Sequence, residues 1–256
     1  MPSRTSFTEL RHLTAGQDGG FNQGILIVPC LPRAIRTGHA ARKARALRSC
    51  HHPHIISLVF ADLDAAGYGY GSNYMSYCEL GSLDGLLSRL ARRSNFPPEG
   101  FLWKILFDMA TALCYLQTGL KSSSLAQSGQ PVSGCALGWV QILHRDIKPQ
   151  ISSLRSRTAE LRADTSDVYS LALSVYCVAA LRDTPRLGEI VRADPAPGYS
   201  RELRGVLGRM LRLMPEDRVE VGHLPYLVWR ETSVVKHERA ARGFQSEKMP
   251  SWAFWE

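Results

Sequence analysis

The sequence predicts an α+β fold, with short β-strands in the first half of the chain and helices in the second half. Runs of β-branched residues beside glycine or proline, such as residues 25–28, are typical of short strands. From residue 99 onward, apolar side chains instead recur every three or four positions, which indicates helices. The chain has 256 residues, of which 45% are hydrophobic, so it can bury one large core or two small ones.

Composition and patterning exclude a membrane-spanning or secreted protein. The longest uncharged apolar stretch, residues 171–181, is only 11 residues long, whereas a spanning helix needs roughly 20. The first residues lack the continuous apolar run of a secretory signal. We therefore expect a soluble intracellular protein, cytoplasmic or nuclear, with no membrane partner.

The cysteines and the charged residues favour no metal site and no specific nucleic acid partner. The six cysteines are scattered singly, without a Cys-x-x-Cys pair, so we expect reduced thiols. His51, His52 and His54 follow Cys50 closely, but neighbouring side chains in a turn point in different directions. The net charge is +8, with basic residues that are spread along the chain and no basic-helix or stacked-aromatic motif. We expect a monomer without a bound metal cluster.

The elements of the first half follow from local patterns. Residues 7–30 contain a glycine-rich break between two extended pieces, which predicts a hairpin whose second strand is 25–28. The alanine- and arginine-rich segment 38–49 predicts a helix, and Pro53 follows its end. Strands are expected at 55–60 and 74–78, with a Gly/Asp/Tyr loop at 62–72 between them.

The second half predicts three helices, one of which is buried on every side. Residues 99–117 form the clearest amphipathic helix, between Pro98 and Gly119. Residues 167–181 are apolar on every side, so they predict a fully buried helix. Residues 203–213 predict a further amphipathic helix, and 140–143 predict a short strand. The segment 121–138 is rich in Ser, Gly and Gln, which predicts a flexible surface insertion with little structure of its own. Residues 229–256 show no clear hydrophobic periodicity, so we expect a C-terminal tail.

One motif carries chemistry, the sequence HRDIKP at residues 144–149. It presents Asp146 and Lys148 two positions apart in a turn that ends at a proline. In phosphoryl transfer such a carboxylate accepts the proton of the incoming hydroxyl, and such an ammonium offsets the charge on the transferred phosphate.

This motif resembles the catalytic loop of the protein kinases, and a lysine two positions after the aspartate is the serine/threonine pattern. Residues 74–83 resemble the strand and hinge that line the adenine pocket, with Met75 as the gatekeeper and Tyr77 and Cys78 at the hinge. Residues 166–171 resemble the start of the buried central helix, whose Asp167 steadies the catalytic loop. The resemblance runs in family order from about residue 7 to residue 227, and it is nearest to NIMA-related serine/threonine kinases.

The resemblance implies a bilobal protein-kinase-like fold with a β-rich N-lobe at about 7–78 and a helical C-lobe at about 79–228, followed by the tail. It implies ATP and Mg²⁺ as cofactors, a protein substrate or partner, and phosphate contacts from a glycine loop that contains Gly16 and Gly19. It also implies that Arg218 pairs with the glutamate of an Ala-Pro-Glu element, for which Glu160 is the candidate remnant.

Several positions depart from the kinase pattern. Arg36 stands at a plausible spacing for the lysine of the third strand, and its planar fork is a poor substitute for an ammonium. Lys43 occupies the place of the glutamate that should pair with that lysine. Ile151 replaces the magnesium-binding asparagine, and no Asp-Phe-Gly occurs. Only 21 positions separate Asp146 from Asp167, so the activation segment is largely missing.

Two functions therefore remain open from the sequence. The first is a serine/threonine kinase with ATP-dependent phosphotransfer that is weak or lost, because Mg²⁺ binding is doubtful. The alternative is an inactive pseudokinase that acts as a protein-binding scaffold. An incomplete gene model or a spliced form is an alternative cause of the missing segment.

Overall fold

The structure is a computed structural model that describes residues 8–9, 25–63, 70–78, 82–147, 163–182 and 195–241. The chain divides into two compact units, Met1–Leu80 and Gly81–Glu256. The first unit contains a β-sheet with two short helices, and the described elements of the second unit are helices. The predicted α+β class is confirmed.

The sheet of the first unit has four antiparallel strands in the order β1-β2-β4-β3. The strands are β1 (Thr8–Glu9), β2 (Ile25–Cys30), β3 (Leu58–Leu63) and β4 (Gly71–Ser76). β1 pairs antiparallel with β2, as the predicted hairpin requires. β3 begins later than predicted and runs into the expected loop, because Asp62 and Leu63 pair with Ser72 and Gly71 of β4.

Two helices follow β2 directly. Helix α1 (Pro32–Arg36) begins with a proline, whose missing N–H is harmless at a first helical position. Gly38, in the left-handed region with φ of 69°, connects it to α2 (His39–Ser49). Ala40 and Ala44 form the buried side of α2, which contacts β3. The helix predicted at 38–49 is confirmed, whereas α1 was not predicted.

The second unit contains six described α-helices. Helix α4 (Glu99–Thr118) confirms the prediction for 99–117, and Gly119 ends it with φ of 72°. Helix α6 (Ala163–Ala179) is the predicted buried helix, since every residue from 171 to 179 is buried. Helix α4 contacts both α6 and the C-terminal helix. The remaining helices are α3 (Leu83–Arg92), α5 (Ser123–Gln127), α7 (Arg201–Met210) and α8 (Leu224–Ala241), with a 3-10 turn at Pro215–Asp217.

Three predictions for the second unit were wrong. The segment 121–138 contains α5, its Ala126 is buried, and the Val132 N–H donates to the Gly222 carbonyl at 3.0 Å. The segment 229–241 is not an aperiodic tail but the continuation of α8, in which Val235 is buried. Residues 140–143 form no strand, and the N–H of Ile142 donates instead to the carbonyl of Leu116 in α4.

A buried carboxylate links three elements of this unit. Glu99, in the first turn of α4, is 4% exposed. It accepts hydrogen bonds from the Trp103 indole, from the hydroxyl of Ser200 at the N-cap of α7, and from the Arg239 guanidinium of α8 at 2.6 Å. Burial, together with the Glu99 charge, raises the pKa of nearby Tyr199 to about 12. The Glu99 carboxylate, both of whose oxygens accept hydrogen bonds, therefore joins the ends of α4, α7 and α8.

None of the six cysteines forms a disulfide, in agreement with the prediction of reduced thiols. Among the described residues, no helix combines the length and the hydropathy needed to cross a bilayer.

Candidate active site

The loop that contains Asp146 is held by a buried carboxylate. Asp167, on α6 and only 2% exposed, accepts the backbone N–H of His144 through Oδ2 and that of Arg145 through Oδ1, both at 2.8 Å. Because α6 is buried, the loop is fixed to the core of the second unit. This is the steadying role that the sequence comparison with kinases implied for Asp167.

The anchored loop adopts an unusual backbone conformation. Arg145 has a φ of 58°, in the left-handed region that non-glycine residues seldom occupy. The backbone N–H of Asp146 lies 3.3 Å from the His144 Nδ1 atom, and the Asp146 side chain is exposed. The two bonds to Asp167 offset the cost of this turn, which presents the Asp146 carboxylate to solvent.

Arg218 connects the first turn of α6 to the segment around the 3-10 turn. Its guanidinium donates to the carbonyls of Arg212 at 2.7 Å, Leu213 at 2.9 Å and Thr165 at 3.3 Å. The guanidinium carbon also lies 4.6 Å from the ring centroid of Tyr169. Burial lowers the pKa of Arg218, and these carbonyl and ring contacts compensate for the lost hydration. Its expected partner Glu160 lies outside the described residues.

The first unit holds the segment that resembles a kinase hinge. Met75, in β4, is 6% exposed, and β4 ends at Ser76. Tyr77, which is 42% exposed, and Cys78 follow the strand and face solvent. Within this unit the gatekeeper position is therefore a core position, and the two hinge positions are accessible.

The strand next to β4 carries no lysine. In the kinase pattern the phosphate-binding lysine lies on the strand before the small-lobe helix, and here that strand is β2, Ile25–Cys30, with the sequence ILIVPC. Arg36, placed at the lysine position from spacing, lies instead at the end of α1 and is exposed. The assignment to a strand was wrong because β2 ends at Cys30 and Pro32 starts a helix. Lys43 lies on the exposed side of α2.

The end of β2 carries a neutral thiol. The Asn73 amide, 2% exposed, donates to the Cys30 sulfur at 3.3 Å. Burial raises the pKa of Cys30, although the Lys43 charge acts in the opposite direction. A protonated thiol cannot take the place of an ammonium beside phosphates.

Several predicted site residues lie outside the described part of the chain, namely Gly16, Gly19, Lys148 and Ile151. Within that part, no three His, Cys, Asp or Glu side chains are grouped so that they could hold a metal ion.

Comparisons with known proteins give two curated relatives, whereas no family model matches the chain. The chain is 27% identical over 254 aligned residues to the G2-specific protein kinase nimA of Emericella nidulans, which covers 77% of this chain and 36% of that protein. It is 29% identical over 82 residues to the G2-specific protein kinase nim-1 of Neurospora crassa, which covers 30% of this chain and 10% of that protein. The chain thus spans about a third of the length of the first of these relatives.

Among solved structures, the fold is similar to that of the kinase domain of Mycobacterium tuberculosis PknI. The TM-score is 0.53 at 20% sequence identity, over 92% of this chain and 100% of that domain. This similarity shows the fold.

Proposed function

We propose that the chain, which is similar in sequence to NIMA-type protein kinases and in fold to a kinase domain, is a serine/threonine kinase relative whose phosphotransfer is weak or lost. It acts in the cytoplasm or nucleus as a monomer, and its ligands are ATP and a protein substrate or partner. In this proposal the catalytic loop of the second unit is kept, whereas the phosphate-binding residues expected in the first unit are lost.

The part of the kinase machinery that is kept is the loop around Asp146. Its backbone is fixed by Asp167 at 2.8 Å through two bonds, and this supports a role for Asp146 in orienting a hydroxyl and accepting its proton. Lys148 would offset charge on the phosphate. Met75, Tyr77 and Cys78 would border the adenine.

The observation that carries the proposal is the absence of a lysine from β2. No residue of β2 has a cationic side chain, Cys30 is a neutral thiol, and Lys43 stands where a lysine-binding glutamate is expected. Among the described residues, no three His, Cys, Asp or Glu side chains are grouped to hold a metal ion, and Ile151 stands in the sequence where the magnesium-binding asparagine is expected. Loss of one such electrostatic contact lowers a rate by about 10²- to 10³-fold.

The test is transfer of labelled γ-phosphate from ATP to dephosphorylated casein by the full chain, beside an active NIMA-type kinase. We expect incorporation at least about 10²-fold below that of the active enzyme, and none above background for Asp146→Asn. Incorporation equal to that of the active enzyme would contradict the proposal. Measurable activity that Asp146→Asn leaves unchanged would exclude the role given to Asp146.

The alternative, a scaffold without catalysis, is supported by apolar side chains on the surface of the second unit. Five large apolar residues of this unit are at least 59% exposed, and two of them are consecutive: Phe96, Leu137, Val140, Leu213 and Met214. A contiguous exposed apolar surface is typical of protein-binding sites, and Leu213 and Met214 are adjacent in the chain. Capture of a protein partner by the Asp146→Asn variant as strongly as by the unmodified chain would favour this alternative.

A further inference from the structure

Helices α1 and α2 concentrate most of the net positive charge of the protein. Six exposed cations lie on them, and no Asp or Glu occurs between residues 31 and 61. The remaining 25 basic residues are nearly balanced by the 23 acidic ones, so these six account for most of the net charge of +8. The basic residues themselves are spread along the chain, but the net charge is concentrated on these two helices. We call this set the α1–α2 surface; it comprises Arg33, Arg36, Arg42, Lys43, Arg45 and Arg48.

These charges are not neutralised within the described part of the chain. Neither helix has an acidic residue in its first turn, and none of the six cations forms an ion pair with a described carboxylate. Arg42 donates to the Thr37 carbonyl at 3.3 Å, at the end of α1, which leaves its charge uncompensated. Like charges at this density repel one another, and a bound polyanion would relieve the repulsion.

The cations surround the exposed side of α2. At about 100° per residue, Lys43 lies on one side of Arg42, while Arg45 and Arg48 lie on the other. Ala40 and Ala44 are buried against the rest of the unit. Cations spread over an arc of this width can contact both negatively charged walls of a groove at once. On a flat negatively charged surface, only the cations at the centre of the arc would make contact.

Between the cations the surface offers little apolar contact. Apart from Leu31, which is 70% exposed before α1, no large apolar side chain of residues 31–50 is exposed. A protein partner normally needs an aromatic or aliphatic anchor at the centre of its interface, and a membrane-bound helix needs a bulky apolar face. Binding to phosphodiester backbones needs only the charges.

We propose that the α1–α2 surface binds double-stranded DNA through its phosphates, without sequence preference, with α2 lying in the major groove. The major groove of B-DNA, roughly 12 Å wide, accepts a helix, and cations on both sides of Arg42 then reach both phosphate walls. The deep, narrow major groove of duplex RNA does not admit one. This surface acts whether or not the chain transfers phosphate.

The test uses the full chain and a fluorescein-labelled DNA duplex of random sequence, with fluorescence polarisation at a series of NaCl concentrations. We expect log K to fall linearly with log [NaCl], with a slope of about −0.9 for each phosphate contacted. The variant Lys43→Gln/Arg45→Gln/Arg48→Gln should bind at least about tenfold more weakly at low salt, with a slope shallower by about 0.9 for each lost contact.

The matched control removes three exposed arginines elsewhere, as Arg92→Gln/Arg201→Gln/Arg212→Gln, with the same change in net charge. It should change the affinity less than about twofold. Equal losses in the two variants would overturn the proposal, because binding would then follow total charge. If the triple variant melts earlier than the unmodified chain, the single Arg45→Gln variant replaces it.

Further probes separate the other polyanions. Poly-glutamate, phosphatidylserine vesicles and an RNA duplex should each bind more weakly than the DNA duplex. Binding of poly-glutamate or vesicles that the triple variant loses, without binding of the DNA duplex, would overturn the proposal and indicate an acidic protein or a membrane. RNA bound as tightly as DNA would overturn the placement of α2 in the groove.

Discussion

At the scale of single residues, two buried carboxylates organise the second unit. Asp167 fixes the backbone of the catalytic loop, and Glu99 joins the ends of three helices. Kinase resemblance predicts the first from its motif. No sequence signal marks the role of Glu99, because a glutamate that follows two prolines is also typical of an ordinary helix N-terminus. Its partners Ser200 and Arg239 lie more than 100 residues away along the chain.

Replacement of Asp167 tests the loop anchor. We expect Asp167→Ala to lower the free energy of unfolding by about 2–3 kcal/mol, because the N–H groups of His144 and Arg145 lose a charged acceptor. Urea unfolding measures the loss, and hydrogen exchange at the Arg145 amide should become faster. The control is Asp217→Ala at an exposed position, which should change stability by less than about 0.5 kcal/mol. Unchanged exchange at Arg145 would argue against an anchoring role.

Replacement of Glu99 tests the helix junction. Glu99→Gln should cost about 2–3 kcal/mol, since the partly exposed Arg239 and the hydroxyl of Ser200 lose a charged acceptor. The matched control is Glu220→Gln, in which the glutamate side chain is 73% exposed and lies 3.5 Å from His223. There we expect less than about 0.5 kcal/mol. Similar losses in the two variants would mean that burial of Glu99 adds nothing.

The raised pKa of Tyr199 predicts a pH dependence in alkali. Its phenol titrates at about 12 in the folded chain, against an ordinary value of 10. Between these values the unfolded chain binds fewer protons than the folded one, so the free energy of unfolding falls as pH rises. Stability measured from pH 9 to 12 should therefore fall less steeply in Tyr199→Phe than in the unmodified chain. Tyr70→Phe, at a 70% exposed position, should follow the unmodified curve.

At the scale of elements, strong local periodicity was a good guide and compositional bias was a poor one. Helix α4 was predicted from the periodic spacing of its apolar residues, and α6 from a segment that is apolar on every side and too short to span a membrane. Helix α5 lies in a Ser- and Gly-rich segment, and packing of Ala126 and Val132 orders it. Helix α1 was missed because five residues give no periodic signal. Such short elements depend on contacts that are distant in sequence.

The C-terminal end of α4 offers a prediction for an element boundary. Gly119 has φ of +72°, and a Cβ there would lie 2.6 Å from the Trp139 ring. We expect Gly119→Ala to destabilise the chain by at least about 1–2 kcal/mol. Gly205→Ala, inside α7 with nothing within 4 Å of its Cβ, should instead stabilise by up to about 1 kcal/mol. Thermal denaturation of both variants measures the two effects, and a loss in both would contradict this account.

At the scale of the whole molecule, the kinase fold is kept although the motifs for phosphate and metal are depleted. The fold depends on buried helices such as α6, in which residues 171–179 are buried and all but Ser174 are apolar. Phosphate binding depends on a few polar side chains that contribute little to this core. A chain without a lysine in β2 can therefore keep the kinase fold.

Nucleotide binding gives the prediction at this scale. If the chain binds ATP without an anchored metal, the shift in melting temperature should be the same in MgCl₂ and in EDTA. Differential scanning fluorimetry with an ATP titration measures it, and ADP without metal is the control. A large stabilisation that requires magnesium would contradict the loss of metal binding and favour an active enzyme.

Local periodicity and contiguous motifs were enough to predict the α+β class, the long helices, the kinase resemblance of the loop around Asp146 and the anchoring role of Asp167. The three-dimensional structure was needed to show that Arg36 lies on a helix instead of a strand and that Glu99 joins three helices. The physical reason is that strand limits, buried charges and exposed faces depend on pairing between residues far apart in the chain. Such pairing leaves no periodic trace in the sequence.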